Sequence, residues 1–388
     1  MKFDFDKIPE RRGTGCIKYD MASRGLPEDM IPLWVADMDF ETAPGVKEAL
    51  LKMASFNLYG YGNAGEGYFP AVASWYKKHF GWEVEKDSLV ITPGVVFALA
   101  MGVRAFSEAG DAVMLNSPVY YPFFRVIEEN GRRVIDSPLV YEEGEYRMDF
   151  ADIEKKMAEE KVKVYLLCSP HNPAGRVWKR EELLCLEDLC AKYGVILLSD
   201  EIHSDFVWEG EHTPFLTLSK KAKEHCIVLT APSKTFNLAG LCCSNIFIPN
   251  PLLKERFQKE ISSAGAGLIN LAGLTATQAA YESGEEWLMQ VKAYIRENMV
   301  FMEQYIRKEI PELSMRLPQG TYLTWVDFRG LSLTEEKRED LLLHKAKIWL
   351  DSGAMFGKAG EGFERFNMAT SRENIRLALE RLKGAIHP

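Results

Sequence analysis

The sequence lacks the features that mark membrane, secreted and nucleic-acid-binding proteins. No segment of its 388 residues has about 18 uninterrupted apolar residues, and the N-terminal segment MKFDFDKIPERRGTG alternates charges and has no signal-peptide apolar stretch. Long basic runs are also missing and the net charge is -9, which favours neither a nucleic-acid nor an anionic-membrane partner. We therefore expect a cytoplasmic protein that acts on small molecules.

Cysteine patterns that stabilise secreted or metal-binding domains are missing too. The seven cysteines are odd in number and include no Cys-x-x-Cys pair. This indicates neither a disulfide framework nor a zinc cluster, and no metal site is predicted.

The chain does have the composition of a globular protein, and it is long enough for more than one folding unit. It is 47% hydrophobic and 27% charged, which is typical of a soluble globular fold. Its 388 residues exceed the usual size of one hydrophobic core. We expect two subdomains with an enzyme-sized cleft between them.

Short apolar runs alternate with amphipathic stretches between residues 88 and 248. The strand-like runs are SLVIT, DAVML, RRVID, VKVYLLC, VILLS, CIVLT and CSNIFI. Their hydrophobicity is continuous, which is typical of strands covered on both faces in a mainly parallel sheet. The predicted fold class is therefore α/β, with a large domain whose mixed, mainly parallel sheet is flanked by helices.

The last third of the chain has a different layout. Residues 252–309 look helical with a loop at Gly265 and Gly267, the segments GTYLTWVDF and RFNMA look like strands, and further helical patterns lie near 334–350 and 371–386. No low-complexity linker separates this region from the rest. We expect a small α+β domain packed tightly against the large one.

Polar residues follow the predicted strands at their carboxyl ends, where open α/β sheets bind ligands. These residues are Gly94, Tyr120, Asn172, Asp200, His203 and Lys234. Each alone has an ordinary explanation, such as a solvated lysine, a helix-capping acid or a turn asparagine. Because they follow strands of one sheet, together they predict one site.

This combination suits pyridoxal 5'-phosphate (PLP). A lysine at a partly desolvated strand end can have a lowered pKa and act as a Schiff-base nucleophile and proton carrier, which makes Lys234 the candidate. Asp200 can keep the pyridine nitrogen protonated, so that the ring acts as an electron sink. The helix that begins at Gly94 to Val96 offers N–H groups to a phosphate, and Tyr120 offers an aromatic face.

Eight blocks, in order along almost the whole chain, point to one family. They are PLWVADMDF (32–40), YGYGNAGEGYFPAVASWY (59–76), SPVYYPF (117–123), SPHNPAGRVW (169–178), LSDEIHSDFVW (198–208), SKTFNLAGL (233–241), PQGTYLTWVDFR (318–329) and GEGFERFN (360–367). With them the sequence resembles the fold-type I PLP enzymes of aminotransferase class I/II, and within these the cystathionine β-lyase, or C–S lyase, branch. The resemblance implies a large PLP-binding domain of residues 46–287 and a small domain built from residues 1–45 and 288–388.

The resemblance also implies which residues contact the cofactor ring. Lys234 would form the Schiff base, Asp200 would pair with the pyridine nitrogen, and Asn172 would bond the phenolic oxygen. His203 would donate toward the same oxygen. Tyr120 would stack on the ring, and we count it with Lys234 and Asp200 as catalytic.

The phosphate contacts are implied in the same way. Backbone groups of Gly94, Val95 and Val96, with the hydroxyl of Ser233, would hold the phosphate. Tyr61 would reach the phosphate of the neighbouring subunit, which implies a homodimer with its active site at the subunit interface.

The substrate is expected to be an amino acid. Arg365 would bind its α-carboxylate with the guanidinium fork, with Asn172 and Tyr61 also in contact with the substrate. Without the resemblance, a surface arginine paired with Glu361 or Glu364 would be the ordinary explanation.

Two positions depart from the pattern of many family aminotransferases. Those enzymes have a tyrosine three residues after the aspartate and an arginine eight residues after the lysine, whereas this sequence has His203 and Cys242. A cysteine cannot replace a cation beside the phosphate. In the lyase branch the histidine is usual and the arginine is commonly missing, so both departures favour that branch.

Two other enzyme classes match segments of the sequence. Residues 60–65, GYGNAG, spell the dinucleotide-binding fingerprint, but they follow a helical run instead of a strand. A metal hydrolase would use Asp200, His203 and Asp205, but one histidine flanked by carboxylates is a poor zinc set.

Arginine usage favours elimination over transamination. Dicarboxylate transaminases typically bring a second arginine for the distal acid, and apart from Arg365 no motif-matched candidate exists, since Arg125 and Arg176 look like surface charges. We predict a PLP-dependent C–S β-lyase that converts cystathionine or other cysteine S-conjugates to thiol, ammonia and pyruvate. The alternative is a PLP-dependent aminotransferase of a small or aromatic amino acid.

Overall fold

The structure, a computed structural model, describes residues 2–20, 27, 29–142 and 144–388. Its strands are β1 (Ile31–Pro32), β2 (Leu89–Thr92), β3 (Ala112–Leu115), β4 (Arg133–Asp136), β5 (Val140–Glu142), β6 (Glu145–Arg147), β7 (Val164–Cys168), β8 (Ile196–Asp200), β9 (Cys226–Thr230), β10 (Ser244–Phe247), β11 (Ser314–Met315), β12 (Leu323–Asp327), β13 (Ile348–Trp349), β14 (Asp351–Ser352) and β15 (Phe363–Asn367). Its helices are α1 (Ile17–Asp20), α2 (Pro44–Phe56), α3 (Tyr68–Phe80), α4 (Val95–Phe106), α5 (Pro122–Glu128), α6 (Phe150–Glu160), α7 (Arg180–Tyr193), α8 (Ala222–His225), α9 (Pro232–Thr235), α10 (Pro251–Ser263), α11 (Leu271–Ser283), α12 (Glu285–Glu309), α13 (Glu335–Asp340) and α14 (Arg372–Ile386). No helix within these ranges has the length and apolar character that crossing a membrane requires.

Seven of the described strands form one large sheet, in the order β2-β10-β9-β8-β7-β3-β4. Strand β10 is antiparallel to both β2 and β9, whereas the pairs from β9 to β4 are all parallel. Parallel strands cannot be joined by a tight hairpin. The segments that connect the parallel strands of this sheet contain helices α5, α6, α7 and α8. The mainly parallel sheet predicted from continuous apolar runs is confirmed.

Apolar side chains cover both faces of this sheet. Leu197 and Leu198, adjacent in β8, are both fully buried, yet they belong to two different apolar clusters. Successive strand residues point to opposite faces, so one cluster lies on each side. Helices α4, α5 and α10 contribute to the cluster of Leu198, and α3, α7 and α11 contribute to that of Leu197. Burial of one such leucine contributes about 1.5–3 kcal/mol.

A smaller antiparallel sheet forms after the long helix α12. Its strand order is β11-β12-β15-β14, and Arg365 in β15 lies opposite Trp325 on one neighbour and Asp351 on the other. Helices α12 and α14 contact each other beside it. The expected small α+β unit is therefore present.

The N-terminal segment is joined to this region of the chain. Strand β1 pairs in parallel with β13, with Ile31 opposite Ile348. The predicted domain boundary between residues 287 and 288 falls inside α12, so one continuous helix spans it. The division into 46–287 and the two chain ends stays a prediction.

The helix predicted near 334–350 ends earlier in the structure. Helix α13 continues as a π-helical turn, Leu341–Lys345, and Lys347 has a left-handed φ of 54°. The backbone then pairs with β1 through Ile31 N to Lys347 O (3.0 Å) and Leu33 N to Trp349 O (2.8 Å). The prediction was wrong beyond residue 345, because these tertiary hydrogen bonds override the local helical pattern.

Candidate active site

A cavity of about 310 Å³ lies at the carboxyl ends of β7, β8 and β9, beside the start of α4. Nine of the residues predicted for the site line it: Gly94, Val95, Val96, Tyr120, Asn172, Asp200, His203, Ser233 and Lys234. They come from five separate loops and strand ends. The fold therefore brings together residues that span 141 positions of the chain, from 94 to 234.

Lys234 lies in α9, the single helical turn that follows β9. Its Nζ donates a hydrogen bond to the carbonyl oxygen of Ala36 at 2.7 Å. Burial lowers the pKa of this amine to about 8; the Asp37 carboxylate opposes the shift and the Arg365 guanidinium adds to it. Desolvation disfavours the ammonium form, so about a tenth of the amine is neutral at pH 7, far more than for an ordinary lysine.

Asp200 is the last residue of β8 and is buried. Burial raises the pKa of its carboxyl to about 7, against the effects of the Ile202 N–H, which donates at 3.1 Å, and of the Lys234 charge. A nearby cation would stabilise the ionised form of this buried carboxyl. A protonated pyridine nitrogen is such a partner.

His203 and Tyr120 are the two predicted site residues of the cavity that carry aromatic rings. Burial, together with the charges of Lys234 and Arg365, lowers the pKa of His203 well below its ordinary value, so the ring is neutral. Within the described residues its Nδ1 is buried without a hydrogen-bond partner. Burial raises the pKa of Tyr120, so its hydroxyl stays protonated.

The helix start at α4 forms another wall of the cavity. Gly94 precedes the helix in an extended conformation with φ 166°, and the first-turn N–H groups at Val95 and Val96 have no carbonyl within the helix to bind. Such N–H groups are a natural phosphate site. Cys242 also lines the cavity, at the position where many aminotransferases carry an arginine, so the cation missing from the sequence pattern is also missing from the cavity.

Arg365 lies behind the cavity wall and is 1% exposed. Its Nη1 donates to Asn172 Oδ1 at 3.0 Å, its Nη2 donates to Trp34 O at 2.8 Å, and it forms an ion pair with Asp351. The surface arginine considered as an alternative, paired with Glu361 or Glu364, is therefore wrong. Because Asn172 Oδ1 accepts a hydrogen bond from Arg365, the side-chain NH2 group of Asn172 remains available to donate a hydrogen bond to a ligand.

Asn172 in turn fixes the position of Tyr120, whose backbone N–H donates to Asn172 O at 3.0 Å. The loop of Asn172 is stabilised by Arg176, which is 5% exposed and donates to Gln319 Oε1 at 3.0 Å and to Glu182 Oε2 at 3.0 Å. The expectation that Arg176 is a surface charge is wrong, because the loop folds back over its guanidinium. Arg125 does lie at the surface, with 64% of its side chain exposed.

Tyr61 does not reach the cavity of its own chain. It is 96% exposed and lies in a segment with no helix or strand, between α2 and α3. Its predicted contact with a neighbouring subunit stays a prediction.

The sequence reasoning missed three residues that contact the predicted site residues or share their hydrogen-bond partners. Ala36 supplies the carbonyl that binds Lys234, and Tyr322 OH donates to the same oxygen at 2.8 Å. Asp351 binds Arg365. Ala36 lies in the sequence block PLWVADMDF, which gave a weak signal; no motif indicated Asp351.

These residues fit PLP. The cavity has an amine for the aldehyde and a carboxyl for the pyridine nitrogen, and a helix start for the phosphate. The Nδ1 of His203, buried without a partner among the described residues, is a polar group for which a ligand atom would supply the missing hydrogen bond.

Comparison with known proteins agrees with this geometry. The family model for aminotransferase class I and II matches residues 28–382. The chain is 40% identical over 386 residues to "Cystathionine beta-lyase PatB" of Bacillus subtilis, covering 99% of this chain and 100% of that protein.

Two solved structures have the same fold over their whole length. The crystal structure of cystalysin from Treponema denticola, which contains a pyridoxal 5'-phosphate cofactor, has a TM-score of 0.97 and 37% identity and covers 100% of this chain and 99% of the other. The PLP-bound C-S lyase from Staphylococcus hominis, in complex with the inhibitor L-cycloserine, has a TM-score of 0.92 and 33% identity and covers 100% and 98%. The chain therefore belongs to the aminotransferase class I and II family, in its cystathionine β-lyase branch.

Proposed function

We propose that this protein is a PLP-dependent C–S β-lyase, which converts cystathionine or other cysteine S-conjugates to a thiol, ammonia and pyruvate by α,β-elimination. The observation that carries the proposal is the half-buried amine of Lys234, whose pKa is about 8 and which shares one cavity with Asp200 and Asn172. Full-length relatives that carry the names cystathionine β-lyase and C-S lyase support it.

Lys234 would hold PLP covalently, and Asp200 would face its pyridine nitrogen. Asn172 and His203 would contact the phenolic oxygen, and the hydroxyl of Ser233 would join the N–H groups of α4 at the phosphate. When bound, PLP supplies an electron sink that stabilises negative charge at the substrate Cα.

Lys234 is suited to take up the Cα proton as general base, because its lowered pKa of about 8 lies near neutral pH, so the neutral amine is far more populated than in an ordinary lysine. The Ala36 carbonyl, 2.7 Å from Nζ, accepts a hydrogen bond from the amine and stabilises it once it carries the proton. Tyr120 stays protonated because burial raises its pKa, so it can donate a hydrogen bond but not act as a base.

The charge of the cavity supports elimination from a thioether over transamination of a dicarboxylic amino acid. Lys234 is the one lysine or arginine among the described residues that line the cavity, and Arg365 behind the wall is assigned to the α-carboxylate, so no second arginine lines the cavity for a distal carboxylate. A thioether substrate has its leaving group at Cβ and makes no such demand.

The test is a pyruvate assay on the purified holoenzyme with L-cystathionine and no added keto acid. The expected result is pyruvate, ammonia and thiol in equal amounts. Turnover that depends on an added keto acid would instead identify an aminotransferase of a small or aromatic amino acid, and the lyase proposal would fail.

We also propose a homodimer in the cytoplasm, with each active site completed by the partner subunit. The exposed segment around Tyr61 supports this assembly, because its neighbours Leu58 and Tyr59 are also 62% and 65% exposed. Large apolar side chains exposed together mark an interaction surface.

Mixed dimers test the shared site. Lys234→Ala and Tyr61→Phe homodimers should each be impaired, whereas a mixed dimer has one site with both Lys234 and Tyr61 intact. Unfolding and refolding an equal mixture should therefore restore activity above that of either parent. If the mixture stays at the average of the two parents, Tyr61 does not act across the interface.

A further inference from the structure

The guanidinium of Arg365 is already occupied before any substrate arrives. Its Nη2 donates both to the carbonyl of Trp34 (2.8 Å) and to the carboxylate of Asp351, while Nη1 donates to Asn172 Oδ1 (3.0 Å). Its Nε is buried without a partner among the described residues. Both N–H groups of Nη2 are therefore in use.

This occupation matters because a carboxylate binds arginine through two parallel N–H groups on neighbouring nitrogens. The end-on fork uses Nη1 with Nη2, and the side-on fork uses Nε with Nη2. Every bidentate arrangement on Arg365 thus needs an N–H of Nη2. The free groups, one on Nη1 and one on Nε, cannot form a fork with each other.

Asp351 is held in place by the small sheet. It lies directly opposite Arg365 in the β14–β15 pairing and is 2% exposed. Arg365 is its one ion-pair partner in the described region of the chain. Two carboxylates on one buried guanidinium would leave an uncompensated negative charge away from water, which is costly.

Resting on the C–S lyase function proposed above, we propose that Asp351 competes with the substrate α-carboxylate for Arg365, so that carboxylate binding takes up one proton. The substrate carboxylate takes the Nη2 hydrogen bond that Asp351 gives up. Asp351 accepts a proton from solvent and stays buried as a neutral acid. The ion pair is exchanged, and the net charge of the pocket is unchanged.

The surroundings of Asp351 favour this protonation. Burial raises the pKa of its carboxyl, against the effect of Arg365. The other titratable groups that interact with it are the hydroxyls of Tyr120 and Tyr121 and the carboxyl of Glu364. Burial raises the pKa of Glu364 to about 8, and Arg365 is the one cation that faces Asp351 among the described residues. When a substrate carboxylate takes the hydrogen bond from Arg365, Asp351 loses this cation and its pKa rises further.

The experiment uses the holoenzyme and propionate, a carboxylate without an amino group that cannot react with the cofactor. Calorimetric titration in two buffers of different ionisation enthalpy counts the protons taken up. We expect one proton per propionate near neutral pH, and an affinity that falls about tenfold for each unit of rising pH. No proton uptake, with an affinity that is flat with pH, would overturn the inference.

Variants separate competition from a structural role. Asp351→Asn keeps a hydrogen-bond acceptor for Arg365 but removes the charge, so it should bind propionate at least about tenfold more tightly near neutral pH and take up no proton. The matched control is Glu364→Gln, a buried acid adjacent in β15 that pairs with Arg338, which should keep the proton uptake. Weaker binding by Asp351→Asn at every pH would show that Asp351 only orients the arginine.

Arg365→Gln distinguishes the two proposals. Lost propionate binding in this variant, with wild-type behaviour of Asp351→Asn, would overturn the inference about Asp351 and leave the carboxylate site in place. Undiminished binding in Arg365→Gln would overturn both the inference about Asp351 and the assignment of Arg365 as the carboxylate site, whereas the lyase function is tested separately by the pyruvate assay.

Discussion

Replacing the catalytic lysine should stabilise the apoenzyme. Lys234 is half-buried, and its pKa falls from the ordinary 10.5 to about 8. Near pH 7 the unfolded lysine is fully protonated, whereas the folded site resists the proton, and each tenfold change in that equilibrium is about 1.4 kcal/mol. The folded apoenzyme therefore loses about 3 kcal/mol to this one group.

Lys234→Met removes the charge but keeps a long apolar side chain. The hydrogen bond to Ala36 O is lost at a cost of about 1 kcal/mol, yet that oxygen still accepts from Tyr322 OH at 2.8 Å. The expected net gain near pH 7 is about 2 kcal/mol of unfolding free energy.

The pH dependence has a definite sign. Because the folded pKa lies below the unfolded one, the destabilisation is fully present below about pH 8 and disappears as the pH rises through 10.5. Near pH 9.5 it has fallen to about 1 kcal/mol, which only balances the lost hydrogen bond. The advantage of the variant should therefore be about zero there.

Urea unfolding of both apoenzymes, followed by tryptophan fluorescence at one protein concentration, measures the difference. The control is Lys259→Met, an exposed position in α10, where the change should stay within about 0.5 kcal/mol. A Lys234→Met apoenzyme that is no more stable than wild type near pH 7, or whose gain does not shrink with rising pH, would refute the lowered pKa.

Three further outcomes are expected. Gly175→Ala should lower the unfolding free energy by about 1–3 kcal/mol in urea denaturation, because Gly175 has φ +68° and its new Cβ would lie 2.6 Å from Pro318 Cβ; an unchanged midpoint would contradict the tight contact. Asp200→Asn should lower kcat/KM for pyruvate release at least about a hundredfold while the protein still folds, because the buried carboxylate is lost as a partner for a cationic ring; near wild-type turnover would exclude that role. Cys242→Arg should tighten PLP binding by the apoenzyme about tenfold in a fluorescence titration, because it adds a cation to the cavity wall; equal affinity would place the phosphate elsewhere.

The large sheet could be predicted from the sequence because its strands are continuous apolar runs, a local signal. The same holds for the residues at its carboxyl edge, since parallel strands bring their ends together whatever their order. Lys234, Asp200 and Asn172 therefore share a cavity as expected.

What could not be predicted depends on contacts between distant segments. Arg176 and Arg365 look like surface charges locally, but loops and a sheet that form around them leave both at most 5% exposed. The helix expected up to residue 350 is replaced by β13. This strand could not be predicted locally, because its partner β1 lies more than 300 residues earlier in the chain. Asp351 becomes visible only through its register with Arg365.

The pairing of β1 with β13 also sets an order of assembly. Ile31 leaves the ribosome early and must wait for Ile348 before its strand has a partner. The carbonyls of Trp34 and Ala36, which bind Arg365 and Lys234, follow directly after that strand. Pairings so far apart in the chain close late, because loop entropy must be overcome first. A nascent chain can thus build its large sheet during synthesis, but the site matures only once the last tenth of the protein has been made.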